Sequence, residues 1–95
     1  MRLPLYSSTT RGDVPNLVGL QDEAIHTIPT ILVCPIRVGL QLTPARFEVA
    51  HGDRTFIACP ELTRPIRRAA LRPMGRLSEA LSSELMRRFL ALLAR

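Results

Sequence analysis

The sequence predicts a mostly β fold of antiparallel strands followed by one C-terminal helix, and three stretches predict it. Thr30-Ile31-Leu32-Val33-Cys34-Pro35-Ile36 is almost wholly apolar and rich in β-branched residues, the signature of a buried central strand. Arg46–Ala50 and Arg54–Cys59 alternate polar and apolar residues on either side of His51-Gly52-Asp53, which is a hairpin pattern. Leu81, Leu85, Phe89 and Leu93 recur every fourth residue and form the apolar stripe of a helix.

Taken in order, Leu3-Pro4-Leu5-Tyr6 reads as a short opening strand, and Pro4, which has no N–H to give, suggests a sheet edge. Ser7 to Pro15 is a polar loop, and its Arg11-Gly12-Asp13 triplet is a chance occurrence rather than an adhesion motif. Leu17–Gln21 is a second strand that would pair antiparallel with Thr30–Ile36, and Pro35 is expected to end regular pairing there. In the hairpin, Phe47, Val49, Phe56 and Ala58 fall on one face and belong to the core, with Ile57 on the other. Pro60–Pro73 is Arg-rich; it suggests an extended segment near residues 66–71 along a sheet edge, followed by a turn at Pro73-Met74-Gly75. Ser78 is placed to cap the helix, Glu79 lies at the end where the helix dipole favours an anion, and Glu84 and Arg88 are spaced as an i,i+4 pair.

Ninety-five residues make one domain, spanning residues 1–95, with one modest core. Trp is absent and aromatics are few, so that core rests on Leu, Ile, Val and Ala. The N-terminus has no apolar run fit for a signal peptide, and no stretch reaches membrane-span length, so a soluble cytoplasmic protein is expected. Cys34 and Cys59 both precede proline at the ends of apolar runs and read as buried free thiols.

All thirteen basic side chains are arginine, and the net charge of +5 favours acidic partners. Arg64, Arg67, Arg68, Arg72 and Arg76 lie in a window without a single acid, and the rest of the chain is charge-balanced. Two readings of the window stand: an anion-binding surface for RNA phosphates or an acidic protein tail, or a solvated edge whose charges block aggregation. No aromatic interleaves with these arginines, which argues against base stacking there. His26 and His51, each near acids in sequence, are candidates for proton transfer. Cys-x-x-Cys and His-x₃₋₅-His spacings are absent, so no metal and no cofactor is expected.

One ordered pattern goes further. A strand ending in Gln, an Asp-containing turn and a strand ending in apolar-Pro-Ile, here Val18-Gly19-Leu20-Gln21-Asp22, Thr27 and Val33-Cys34-Pro35-Ile36, resembles the CcdB family of toxins from type II toxin–antitoxin modules. The resemblance continues through Pro60-Glu61-Leu62 and Gly75-Arg76-Leu77-Ser78. It implies a small SH3-like antiparallel barrel with a C-terminal helix, a homodimer, inhibition of DNA gyrase and neutralisation by a cognate antitoxin. The same fold is used by the MazF (PemK) family, which cleaves single-stranded mRNA. This chain departs from both: it lacks the Trp-Gly-Ile tail of gyrase poisons, and Arg37 stands after Pro35-Ile36 where MazF-type nucleases carry Thr.

The resulting expectation is a CcdB-like toxin acting on gyrase or a related topoisomerase, with an acidic antitoxin as partner and Arg64, Arg67, Arg68 and Arg72 as the antitoxin- or phosphate-binding set. The alternative is an endoribonuclease acting on single-stranded RNA. In that case Arg37, or an arginine of the 64–76 cluster, would stabilise the phosphorane formed by 2′-OH attack, and His26 or His51 would accept the proton.

Overall fold

The computed structural model describes residues 1–8, 14–21 and 29–94. Among them seven strands are formed: β1 (Pro4–Ser7), β2 (Leu17–Gly19), β3 (Thr30–Arg37), β4 (Phe47–His51), β5 (Arg54–Ala58), β6 (Arg64–Arg67) and β7 (Arg72–Arg76). Short 3₁₀ turns occupy Pro60–Leu62 and Arg68–Ala70, and a single α-helix, α1 (Glu79–Leu93), follows. Every strand pair is antiparallel, and the order β4-β5-β3-β2-β1-β7, with β6 also on β3, makes a curled sheet that forms a half-barrel.

β3 is the hub because its apolar run is buried on both faces. One edge pairs with β2, and the other pairs first with β6 (Thr30 opposite Arg67 to Val33 opposite Arg64) and then with β5 (Ile36 opposite Ala58). Pairing does not end at Pro35. The Ile36 N–H donates to the Asn16 carbonyl, so the nitrogen of Pro35 faces the opposite edge, at the point where β6 gives way to β5. There Pro35 needs only its carbonyl, which accepts the Cys59 N–H at 3.0 Å. The end of β2 is tied by a side chain: the Gln21 Oε1 accepts the Leu32 amide at 3.1 Å.

Two proline expectations are corrected. β1 is not an edge strand but lies between β2 and β7. Pro4 is its first residue and sits beside a bulge, where the missing N–H leaves no ladder bond unmade. Pro73-Met74-Gly75 is not a turn but part of β7. Pro4 faces Arg76 while Tyr6 faces Pro73, so β7 carries one extra residue over that stretch, and Gly75 absorbs it at φ +109°, a region side chains avoid. The Arg-rich segment does run along a sheet edge, as β6, but from Arg64 to Arg67 rather than over residues 66–71.

The principal core lies between the sheet and α1. Leu5, Val18, Cys34, Ile36, Val49 and Phe56 meet Leu77 and Leu85 there, with Leu81, Met86 and Phe89 packed against them. Phe47, Val49, Phe56 and Ala58 share this face, and Leu85 alone, fully buried, contributes about 1.5–3 kcal/mol. Ser78 caps α1 by accepting the Leu81 N–H, while Leu90 and Leu93 towards its far end are exposed. The opposite face of the sheet buries Tyr6, Leu17, Ile31 and Val33 under Ile66 and Leu71.

Candidate functional site

Of the six described arginines outside the acid-free window, four are already committed to holding the fold together. Arg46 pairs with Glu61 at 2.9 Å. Arg87 and Arg88 both hold Glu84, at 2.6 and 2.7 Å. Their hydrogen bonds keep the Glu84 carboxyl down at about 2, well below the usual range for Glu. Arg88 also lies 4.7 Å over the Phe47 ring and donates to the Arg46 carbonyl, so it joins α1 to β4. Arg2 donates to the Leu77 and Arg76 carbonyls, and Arg76 returns a bond to the Arg2 carbonyl.

Four exposed arginines remain that make no ion pair among the described residues: Arg37, Arg54, Arg64 and Arg67. Three of them share a region for a topological reason. Arg37 is the last residue of β3, Arg54 the first of β5 and Arg64 the first of β6. Arg37 and Arg64 line one cavity of about 380 Å³, with Asn16, Leu17 and Phe56 in its wall. Arg54 lines a second cavity of about 210 Å³ together with His51, Asp53 and Met74. The two share Val14, Pro15 and Phe56, so they are neighbouring parts of one depression. Among the described residues three arginines and a single acid, Asp53, line it. Asn16 is held in place on both sides of its amide: its Oδ1 accepts the Ser8 N–H at 3.0 Å, and its Nδ2 donates to the Ser8 Oγ at 2.8 Å.

Arg37 and His51, named from the sequence as a nuclease set, therefore line adjoining parts of the same depression. His26, with Arg11, Asp13, Asp22 and Glu23, lies outside the described residues. The acid-free window is divided. Arg64 reaches the depression, and Arg67 stands at the far end of β6, opposite Thr30. Half-buried Arg68 opens a 3₁₀ turn with its N–H on the Pro29 carbonyl. Arg72 belongs to β7, on the other side of the sheet order, opposite Ser7. Sequence reasoning missed Arg54. The available signal was its place as the first residue after the hairpin turn.

Cys34 and Cys59 are free and fully buried, and burial pushes the Cys34 thiol up to about 12, which removes it as a nucleophile at neutral pH. Among the described residues no three His, Cys, Asp or Glu side chains gather as a metal site would require. No helix among them is long and apolar enough to cross a membrane.

No family model and no curated protein matches this chain. Among solved structures it is similar to the crystal structure of MazE-MazF (form II) from Deinococcus radiodurans, with a TM-score of 0.73 over 97% of this chain and 89% of that one, at 12% sequence identity. At that identity the likeness shows the fold: a mostly β, curled antiparallel half-barrel with one C-terminal helix, similar to that of MazF.

Proposed function

We propose that this chain is the toxin of a type II toxin–antitoxin module, that it acts on single-stranded RNA, and that an acidic antitoxin neutralises it. The fold likeness to a toxin–antitoxin complex supports the first part, together with the ordered resemblance of Val18–Asp22 and Val33–Ile36 to toxins of this fold. The observation that carries the RNA reading is the depression in which Arg37 and His51 stand beside Arg54 and Arg64.

The chemistry needs two groups. A 2′-OH attacks the adjacent phosphorus in line, and the 5′-oxygen of the next nucleotide leaves and takes a proton from water. His51 is suited to take the 2′-OH proton, because a neutral imidazole keeps one ring nitrogen free to accept it. Arg37, charged at any working pH, is suited to hold the non-bridging oxygens as negative charge builds on the phosphorane. The product ends are a 2′,3′-cyclic phosphate and a 5′-OH. The toxin is expected to work in the cytoplasm as a homodimer.

A second target, DNA gyrase, draws on the paired β2–β3 stretch that carries the CcdB-like pattern. One experiment separates the two. After brief expression in a sensitive bacterium, mRNA integrity and trapped double-strand DNA breaks are measured in parallel, and purified protein is incubated with RNA. The RNA reading expects mRNA loss first, and cuts in vitro that vanish in Arg37→Ala and His51→Ala. Trapped breaks with intact mRNA would transfer the target to gyrase. No growth effect at all would remove the toxin reading.

A further inference from the structure

Arg37 and Arg64 reach the same cavity from different directions. Arg37 comes from the end of β3. Arg64 comes from β6, which lies along the side of β3 with Arg64 opposite Val33. Part of the wall is apolar: Leu17, Pro35, Ile36 and Phe56 are buried residues that line it, alongside the polar Asn16. Pro15 and Pro35 bring no N–H donors to it. Among the described residues no carboxylate lines this cavity, and neither arginine has an ion-pair partner. Two permanent cations lining one cavity leave an anion as the matching ligand.

The shape of the pair favours phosphate over carboxylate. A planar carboxylate is satisfied by one guanidinium fork. A phosphodiester presents two non-bridging oxygens on different sides of a tetrahedral centre, so two forks arriving from different strands can each take one. Resting on the single-stranded RNA reading above and deepening it, we infer that Arg37 and Arg64 form a two-armed clamp for one backbone phosphodiester of a single-stranded nucleic acid. The clamp grips backbone and not bases. Tyr6, Phe47 and Phe56 are all buried, and no aromatic ring among the described residues offers an exposed stacking platform beside it. Binding is therefore tolerant of base sequence and sensitive to salt.

The test uses a labelled DNA oligonucleotide of mixed sequence, which has no 2′-OH and cannot be cut. Its affinity for the full chain is measured across a salt series with the parent, Arg37→Ala, Arg64→Ala, the double variant, and Arg87→Ala as a control. Each single change should weaken binding by about tenfold, the scale of a lost charge-assisted hydrogen bond, and Arg87→Ala should not. For single strands the slope of log affinity against log salt changes by about 0.7 per phosphate neutralised. A clamp on one phosphate requires the double variant to lose about 0.7 in all, whereas independent contacts to two phosphates would lose about 1.4.

That larger loss, or parental binding by Arg64→Ala, overturns the clamp. So does a poly-Glu peptide of equal charge that binds more tightly than the oligonucleotide and depends on both arginines, since the site would then fit an acidic protein segment. Should Arg64→Ala unfold, Arg64→Gln keeps the stem and carries the same expectation. RNA cutting is scored separately. Cuts by the parent with unaltered Arg64→Ala binding sink the clamp alone, and clamp-dependent binding without any cut sinks the nuclease reading alone.

Discussion

The Ser82 hydroxyl of α1 accepts the Leu3 amide at 2.9 Å, and both residues are buried. The Leu3 carbonyl in turn accepts the Leu77 N–H at 2.8 Å, so the residue before β1 is fixed to the start of the helix through both of its backbone groups. A polar residue on the buried stripe of α1 is thus explained by the donor it satisfies. Ser82→Ala would leave that N–H buried without a partner, at a cost of about 1–3 kcal/mol. Urea unfolding of parent and variant measures it, and an unchanged midpoint would mean that water reaches Leu3 after all.

Gly19 and Gly75 are needed for different reasons, and their alanine variants should separate them. A Cβ on Gly19 would come within 2.9 Å of Tyr6 Cε2, 3.0 Å of Pro4 Cγ and 3.1 Å of Ile31 Cδ1. Neither the aromatic ring nor the proline ring can move aside cheaply, so Gly19→Ala should cost about 1–3 kcal/mol through overpacking. At Gly75 nothing lies within 4 Å of the added carbon, and only the φ of +109° is at stake. Gly75→Ala should therefore cost about 1–3 kcal/mol through backbone strain alone. Crowding and strain are told apart by a second change: Tyr6→Leu should relieve Gly19→Ala and leave Gly75→Ala as it was.

What could be read from the sequence followed the strength of local periodicity. β3, the β4–β5 hairpin and α1 carry clear two- or four-residue patterns, and each formed where the pattern put it. β7 carries none, since Arg72-Pro73-Met74-Gly75-Arg76 reads as punctuation. It is a strand because β1 offers an open edge and Gly75 takes up the bulge. Pro4 misled for a related reason: a proline excludes one ladder bond, and whether that bond was needed depends on register, which a sequence does not state. At the site, Arg37 and His51 were legible as residue types. Their nearness to Arg54 and Arg64 was not, because it arises from strand ends that meet only when the sheet curls.

Glu84 should make stability depend on pH in the acid range. Its carboxyl falls from the usual 4.5 to about 2, first through the Arg87 hydrogen bond and then through Arg88. A group whose folded pKa is depressed contributes stability that is fully present above the unfolded value and is lost as pH falls through the folded one. The window is therefore from about pH 4.5 down to about pH 2. Glu84→Gln should lower the urea midpoint at pH 7 and show a shallower further loss than the parent across that window. Parallel curves for the two proteins from pH 5 to pH 2 would show that the pair contributes nothing in solution.

The last prediction concerns the arginines of the acid-free window that lie away from the depression. Arg67 is exposed at the far end of β6, and Arg68 stands half-buried at the corner that follows. If this corner receives the acidic antitoxin, Arg67→Ala combined with Arg68→Ala should weaken antitoxin binding by about 1–2 kcal/mol, the sum of two partly screened contacts. The loss should be larger at low salt than at high salt, because exposed charges are screened beyond about 10 Å at 0.1 M. Binding of the DNA oligonucleotide should change less than it does in Arg64→Ala, because the clamp lies at the other end of β6. Titration of the antitoxin into parent and double variant at two salt concentrations reads this directly. Equal affinity at both concentrations would remove the corner from the antitoxin surface. A double variant that unfolds would instead show that the Arg68 side chain holds the turn between β6 and β7, and Arg67→Ala alone, exposed and outside that turn, would then carry the binding measurement.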